Sequence, residues 1–134
     1  MFKTILVPID IGHPEVGKET LALARAIGGK QSHIAAVYVV ADIPGYVTIE
    51  LPTGLLEKNL IQARAELKAL ADDVGADSEV LSGHAPLRIL DYAKDIGADL
   101  IVIASHRPGL QDYFLGSTAA RVVRHAECAV LVNR

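Results

Sequence analysis

The fold is decided by the stretch Leu100-Ile-Val-Ile-Ala-Ser-His-Arg-Pro-Gly-Leu-Gln-Asp-Tyr-Phe-Leu-Gly-Ser-Thr118. Its first residues, Leu100–Ile103, form the most apolar run in the chain and predict a buried strand. A turn-rich connection then leads into a helix that begins with small and hydroxyl-bearing residues. The first turn of a helix offers free backbone N–H groups and the positive end of the dipole, so phosphate binds there readily. The stretch therefore predicts a strand, a connection and a helix, with an anion site where the helix begins.

Two interpretations of Gly116-Ser117-Thr118 stay open. A glycine lets backbone approach a ligand because it has no Cβ, and the two hydroxyl groups can donate to a phosphate. The same residues are also typical of an ordinary capped helix start. The stronger nucleotide motifs do not occur in the sequence, because no Lys follows Gly116 as in a Walker A loop and there is no Gly-x-Gly-x-x-Gly.

Before and after this stretch of the sequence, apolar runs alternate with amphipathic helical patterns. Helices are predicted to start near Pro14, Leu56, Pro86 and Gly116. Strands are predicted at Thr4–Pro8, Ile34–Val40, Ser78–Ser82, Leu100–Ala104 and Ala129–Val132. Strict alternation predicts an α/β fold, a doubly wound five-stranded parallel sheet of order 3-2-1-4-5 with helices on both faces. No linker or repeat interrupts the pattern, so residues 1–134 are predicted to form a single domain.

Ligands of such sheets bind at the carboxyl ends of the strands, where the strand order reverses. Three features follow that rule: Asp10 after the first strand, Val39 at the end of the second, and Ala104–Thr118 after the fourth. Their convergence predicts a binding site at this edge of the sheet.

The composition of the chain argues against two classes of partner, nucleic acid and membrane. The net charge of -3 argues against nucleic acid, since a phosphate backbone needs a basic face. No apolar run approaches the roughly 20 residues of a membrane span. The single Cys128 rules out an internal disulfide, and we expect a cytoplasmic location.

No catalytic or metal-ligating set is predicted. His125-x2-Cys128 supplies two ligands, whereas a zinc site needs three or four. His106 beside Ser105 does not indicate a nucleophile and base, because adjacent side chains rarely face each other and triads are recognised by geometry.

Four segments resemble the universal stress protein family, and most closely its short single-domain bacterial members of the F and G type. They are Thr4-Ile-Leu-Val-Pro-Ile-Asp10, Ile103-Ala-Ser-His-Arg-Pro108, Leu115-Gly-Ser-Thr-Ala-Ala120 and Val123-Arg-His-Ala-Glu-Cys-Ala-Val-Leu-Val132. The family's nucleotide-binding pattern is Gly-x2-Gly-x9-Gly-(Ser/Thr). Here Ala104 and Arg107 replace the first two glycines, eight residues separate Arg107 from Gly116, and Gly116-Ser117 match.

The resemblance implies a site for an adenine nucleotide, ATP or another, alone or with Mg²⁺. It implies that Asp10 and the backbone near Val39 hold ribose and adenine, with a phosphate path beyond them. The full set that it implies is Pro8, Ile9, Asp10, Val39, Ala104, Ser105, His106, Arg107, Gly116, Ser117 and Thr118.

Three functions stay open at this point. The first is a small nucleotide-binding regulatory protein of the stress response, which we favour. The second is an enzyme, a slow ATPase or a protein that phosphorylates itself, although Asp112 is the only acidic residue in the connection. The third is a dimeric scaffold with no nucleotide. A homodimer is expected through Ala129–Val132, because an apolar edge strand without Pro, Lys or an inward charge recruits another strand.

Overall fold

A computed structural model describes residues 1–41, 54–105 and 115–134. The strands are β1 (Thr4–Pro8), β2 (His33–Val40), β3 (Asp77–Ser82), β4 (Leu100–Ala104) and β5 (Ala129–Asn133). The helices are α1 (Pro14–Gly28), α2 (Leu55–Asp72), α3 (Ala85–Ile96) and α4 (Ser117–His125). These elements follow the predicted order and differ from the predicted bounds by one or two residues at their ends.

All strand pairs of the sheet are parallel, and their order is β3-β2-β1-β4-β5. This confirms the predicted order 3-2-1-4-5. The direction of strand addition reverses between β1 and β4, which pair through Ile5 with Leu100 and Leu6 with Ile101. The carboxyl ends of these two strands therefore frame the switch point at which ligands of such folds bind.

Each face of the sheet carries a pair of helices and its own apolar core. On one face α1 and α2 bury Leu21, Ala24, Leu67 and Ala71. On the other face α3 and α4 bury side chains that include Ile89 and Val122. The central strands supply both cores with alternate residues, as Ile5 and Leu6 of β1 show. The near-continuous apolar sequence of β1, β2 and β4 follows from this burial on two faces.

The inward faces of two helices differ in detail from their periodic patterns. In α4 the helical spacing of the apolar residues predicts that Ala119, Val122 and Val123 face inward. This prediction is wrong for Val123, whose relative exposure is 45%. Val123 lies about 100° around the helix from the fully buried Val122, on a side that does not face the sheet. In α1 the helical spacing of the apolar residues does not predict an inward position for Leu21. The structure buries Leu21 fully, beside the buried Thr20.

In the described parts of the chain, no helix has both the length and the apolar character needed to span a membrane.

Candidate functional site

A cleft of about 800 Å³ opens at the carboxyl edge of the sheet. It lies over the ends of β1, β2 and β4, and the first turns of α1, α3 and α4 form its walls. Of the residues predicted for the site, it brings together Pro8, Ile9, Asp10, Val39, Ala104, Ser105, Gly116 and Thr118. Elements far apart in sequence thus converge at the switch point between β1 and β4.

Asp10 stands at the exposed end of β1, where the strand leaves the sheet. Its Oδ1 accepts a hydrogen bond from the Gly12 backbone N–H at 2.9 Å, and its carbonyl accepts one from His13 N at 3.1 Å. These bonds fix a turn in which one carboxylate oxygen is occupied. The other oxygen has no partner among the described residues and lies beside the cleft, where it can accept a hydrogen bond from a ligand hydroxyl.

Ser105 joins the end of β4 to the start of α4. Its backbone N–H donates to the Asn133 carbonyl at 2.8 Å, which extends the β4–β5 ladder by one residue. Its hydroxyl oxygen accepts from Gly116 N at 2.8 Å and so takes up one of the free donors that precede the helix. The role of Ser105 that the structure shows is to set the position of the α4 N-terminus above the sheet.

The first turn of α4 keeps donors for a ligand. Gly116 occupies the N-cap position with φ -58° and has no side chain to cap the helix, so the Ser105 hydroxyl bonds only the N–H of Gly116 itself. The N–H groups of the first helical residues have no intrahelical acceptor, so they face the end of the helix. Thr118 lines the cleft beside them. This corner can accept an anionic group of modest size.

Several lining residues of the cleft were not predicted from the sequence. His13, Gly17 and Thr20 of the α1 region line the cleft, as does Tyr38 of β2. Thr20 Oγ1 donates to the Val16 carbonyl at 2.8 Å and accepts from Asn133 Nδ2 at 3.4 Å. Asn133 thereby links the end of β5 to α1 under the cleft. A polar Thr on the apolar face of a predicted helix was the one signal that could have indicated this contact.

Burial and nearby carboxylates affect one ionisable group of the cleft. Partial burial raises the pKa of the Tyr38 phenol, and the charges of Asp10 and Glu66 raise it further. The phenol therefore stays protonated at neutral pH and acts as a hydrogen-bond donor rather than as an anion.

One described residue of the predicted site, Ser117, does not line this cleft. Ser117 lines a smaller cavity of about 330 Å³ that adjoins it. His106 and Arg107 lie outside the described residues. In the ranges 1–41, 54–105 and 115–134 no group of three or more His, Cys, Asp and Glu side chains is placed to hold a metal ion.

The sequence profile of the Universal stress protein family matches residues 1–134. The chain belongs to the universal stress protein family. A curated archaeal relative, Universal stress protein MJ0531 of Methanocaldococcus jannaschii, is 30% identical to it over an alignment of 142 positions that covers 98% of this chain and 82% of the relative.

Solved structures similar to this universal stress protein share its whole fold. Hypothetical protein MJ0577 has a TM-score of 0.79 and 25% identity, with 98% of this chain and 95% of that chain covered. Universal stress protein UspA from Lactobacillus plantarum has a TM-score of 0.77 and 28% identity, with 98% and 97% covered.

Two more distant structures of the same fold were determined with nucleotides. A universal stress protein in complex with cAMP has a TM-score of 0.65 and 18% identity, with 99% of this chain and 97% of that chain covered. The universal stress protein from Archaeoglobus fulgidus in complex with dAMP has a TM-score of 0.56 and 21% identity, with 98% of each chain covered.

Proposed function

We propose that this universal stress protein is a cytoplasmic regulatory protein that binds an adenine nucleotide in the 800 Å³ cleft. The observation that carries the proposal is that a carboxylate, Asp10, and an open helix N-terminus, at Gly116 and Thr118, line one cleft. A carboxylate suits the hydroxyls of a ribose, and free N–H groups suit a phosphate. Ribose and phosphate are neighbours in every nucleotide.

The cleft also offers an apolar surface for the base of the nucleotide. Ile9, Val37 and Val39 line the same cleft as Asp10, and Ile9 and Val37 are buried. A flat apolar ring gains affinity by covering aliphatic side chains. The complexes of two structural neighbours with cAMP and dAMP add support for adenine as the base. ATP is our candidate for the physiological ligand, and the F or G type is our candidate for the subgroup.

Binding is favoured over catalysis. Phosphoryl transfer requires a group that positions the attacking atom beside the phosphates. Among the described residues, the carboxylate that lines the cleft is Asp10, and its Oδ1 is held in the turn with Gly12.

The decisive experiment is to release small molecules from the purified protein by denaturation and to weigh them by mass spectrometry. Calorimetric titration with AMP and ATP then gives affinities. Asp10→Asn retains an oxygen for the Gly12 bond but removes the charge, so we expect affinity to fall about tenfold. Asp91→Asn is the matched control, since Asp91 is an exposed carboxylate on α3. Equal affinities for wild type and Asp10→Asn would contradict the ribose assignment, and no binding of either nucleotide would contradict the function.

We also propose a homodimer through β5, in the segment Ala129–Val132. β5 lies at the edge of the sheet and pairs with β4 alone among the described strands. Asn133 uses its carbonyl toward β4, and successive residues of a strand direct their backbone groups to opposite sides. Val132 and Val130 therefore direct N–H and C=O groups to the open edge, where a second copy can pair antiparallel with them.

Analytical ultracentrifugation at micromolar concentration tests the dimer. We expect wild type to sediment as a dimer and Val132→Pro, which removes an outward N–H, to sediment largely as a monomer. Circular dichroism shows whether the variant is folded. A monomeric wild type would refute the dimer, and a folded, fully dimeric Val132→Pro would exclude this edge as the interface.

A further inference from the structure

The strand β3 lies at the side of the sheet opposite β5, and its outer backbone groups are open. Among the described strands it pairs with β2 alone. Gly83 N donates to the Val40 carbonyl at 2.9 Å, and successive residues of a strand direct their backbone groups to opposite sides. Ser78, Val80 and Ser82 therefore direct their N–H and C=O groups away from β2. In the described part of the chain no hydrogen bond reaches these groups, so this β3 edge can pair with an extended chain.

Apolar side chains beside the β3 edge are only half covered. Val80 packs against the core under α1 and α2, Leu81 packs against the core under α3 and α4, and both are half-buried. Tyr92 and Ile96 of α3 pack against the same core as Leu81 and are also half-buried. A strand added at this edge would bury more of this apolar surface. No residue of β3 lines the 800 Å³ cleft, so such a strand would bind at a separate site.

The charge beside the β3 edge is negative. Asp77 and Glu79 lie on the face of the strand that packs toward α3. Partial burial raises the pKa of the Tyr92 phenol, and the charges of Glu79, Asp77 and Asp95 raise it further, so these carboxylates lie near it. Asp77 Oδ2 lies 2.5 Å from His33 Nε2. Glu79 and Asp95 are exposed and have no ion pair within the described ranges, so two carboxylates beside the open edge lack a basic partner.

A second copy of this chain does not complement the β3 edge. Antiparallel pairing of two β3 strands would bring both sets of Asp77 and Glu79 to one seam, and like charges across a strand pair are destabilising. Arg88 packs against Gly83 at the carboxyl end of β3, where a Cβ on the glycine would lie 3.1 Å from Arg88 Cγ. It adds one permanent positive charge per copy, which is fewer than the carboxylates. A chain with basic side chains fits the edge better.

We propose that the β3 edge is a docking site for an extended segment of a partner protein that carries lysine or arginine at alternate positions. The backbone of the segment pairs with Ser78, Val80 and Ser82, and these main-chain hydrogen bonds supply affinity. Its basic side chains lie on the face of Glu79 and Asp95 and supply specificity. Because successive side chains of a strand alternate between faces, the residues between the basic ones lie beside Val80 and suit apolar side chains.

Fluorescence anisotropy with a labelled hexapeptide of alternating lysine and valine tests the docking site in the full chain. We expect this lysine peptide to bind at least about tenfold more tightly than a hexapeptide of alternating glutamate and valine. Two further versions of the lysine peptide carry N-methyl groups on all lysines or on all valines. We expect one version to bind and the other to fail, because a strand directs only alternate N–H groups to one side.

Variants of the β3 edge locate the peptide. Glu79→Lys reverses a charge beside the edge, and we expect it to lower the affinity for the lysine peptide about tenfold. Glu19→Lys is the matched control, because Glu19 is an exposed carboxylate on α1 and the net charge changes by the same amount. Its affinity should stay within about twofold of wild type. Val80→Pro removes an outward N–H and should also weaken binding, with circular dichroism to show that the variant is folded.

Four results would overturn the docking site, and none of them depends on nucleotide binding. The first is that the lysine peptide does not bind, and the second is that both N-methylated versions bind as well as the unmodified one. The third is an equal loss in Glu79→Lys and Glu19→Lys, which would show attraction by net charge alone. The fourth comes from ultracentrifugation of the wild type. Assemblies larger than a dimer that Val80→Pro dissociates would assign the edge to a second copy of the chain.

Discussion

The two edges of the sheet are built in opposite ways. At the amino edge, the loops that precede the strands are closed by hydrogen bonds between side chains and backbone. Asp99 accepts from the backbone N–H groups of Lys3 and Thr4. The single proton of the Ser32 hydroxyl lies within hydrogen-bond distance of the carbonyls of Phe2 and Gly28. At the carboxyl edge, the main feature is the open cleft of about 800 Å³.

Arg25 makes the contrast clearest. Its guanidinium donates to four carbonyls of two loops, those of Gly29, Ser32, Val74 and Gly75, at 2.8 to 3.2 Å. Arg121 near the cleft has one hydrogen bond among the described residues, to an imidazole. The same side-chain type thus holds the amino edge together and leaves donors unused at the carboxyl edge. The difference teaches that side-chain hydrogen bonds close the amino edge, whereas the carboxyl edge keeps an open cleft and unused donors.

The largest effect is expected for Arg25→Met, which keeps the apolar stem and removes four donors. Because a hydrogen bond to a charged group contributes about 1.5–3 kcal/mol and Arg25 is partly exposed, we expect the free energy of unfolding to fall by about 2–4 kcal/mol. Urea denaturation measures it, with Lys18→Met on the exposed side of α1 as control. The nucleotide affinity of the folded variant, measured below the midpoint of urea unfolding, should equal that of wild type. A loss of affinity alongside the loss of stability would show that the two edges are coupled.

The second largest effect is expected for Gly28→Ala. A Cβ on Gly28 would lie 2.7 Å from Ile5 Cδ1 and from Ser32 Cβ, and would collide with Ser32 Oγ. Ser32 cannot turn away without losing the hydrogen bond of its hydroxyl to the neighbouring carbonyls, so we expect a loss of about 1–3 kcal/mol in the free energy of unfolding. Thermal denaturation by circular dichroism checks this. A variant as stable as wild type would mean that the amino edge is less tightly packed than the structure indicates.

Gly116→Ala is the counterpart at the carboxyl edge. Gly116 has an ordinary φ of -58°, and a Cβ there would lie 3.7 Å from Ser105 Oγ, which is normal contact. The fold therefore does not require glycine here, and stability should stay within about 0.5 kcal/mol of wild type. Nucleotide affinity should fall about tenfold, because the methyl group takes space at the phosphate corner. Calorimetry that finds unchanged affinity in this variant would remove Gly116 from the site.

The smallest effect concerns pH and Asp99. The hydrogen bonds from Lys3 N and Thr4 N lower the pKa of this carboxyl from its ordinary 3.8, against a smaller opposing effect of burial. Since the folded pKa is the lower one, the stabilisation is complete above 3.8 and is lost as the pH falls through the folded value. Asp99→Asn should therefore be slightly less stable than wild type at pH 7, and the difference should shrink below pH 3.8. A difference that stays constant from pH 7 to pH 2.5 would rule out this linkage.

The strand order could be predicted from the sequence because its signals are local. Apolar runs such as Leu100–Ala104, helix stops at Gly29 and Gly97, and strict alternation leave few topologies for a parallel sheet. The same rule predicted that Asp10 and Gly116 approach each other, since both follow strands that flank the switch point. The identity of the ligand and the dimer edge stay predictions, and so do the roles of His106 and Arg107, which lie outside the described residues.

The sequence by itself thus determined the elements, their order and the edge of the sheet at which the cleft opens, because periodicity and turn residues act within a few positions of the chain. Only the tertiary structure decided that Arg25 reaches Val74, that His84 meets Arg121, and that Asn133 reaches Thr20. These contacts join residues that are 37 to 113 positions apart. No local sequence pattern predicts a side-chain partner so far along the chain, because the contact depends on how the helices pack on the complete sheet.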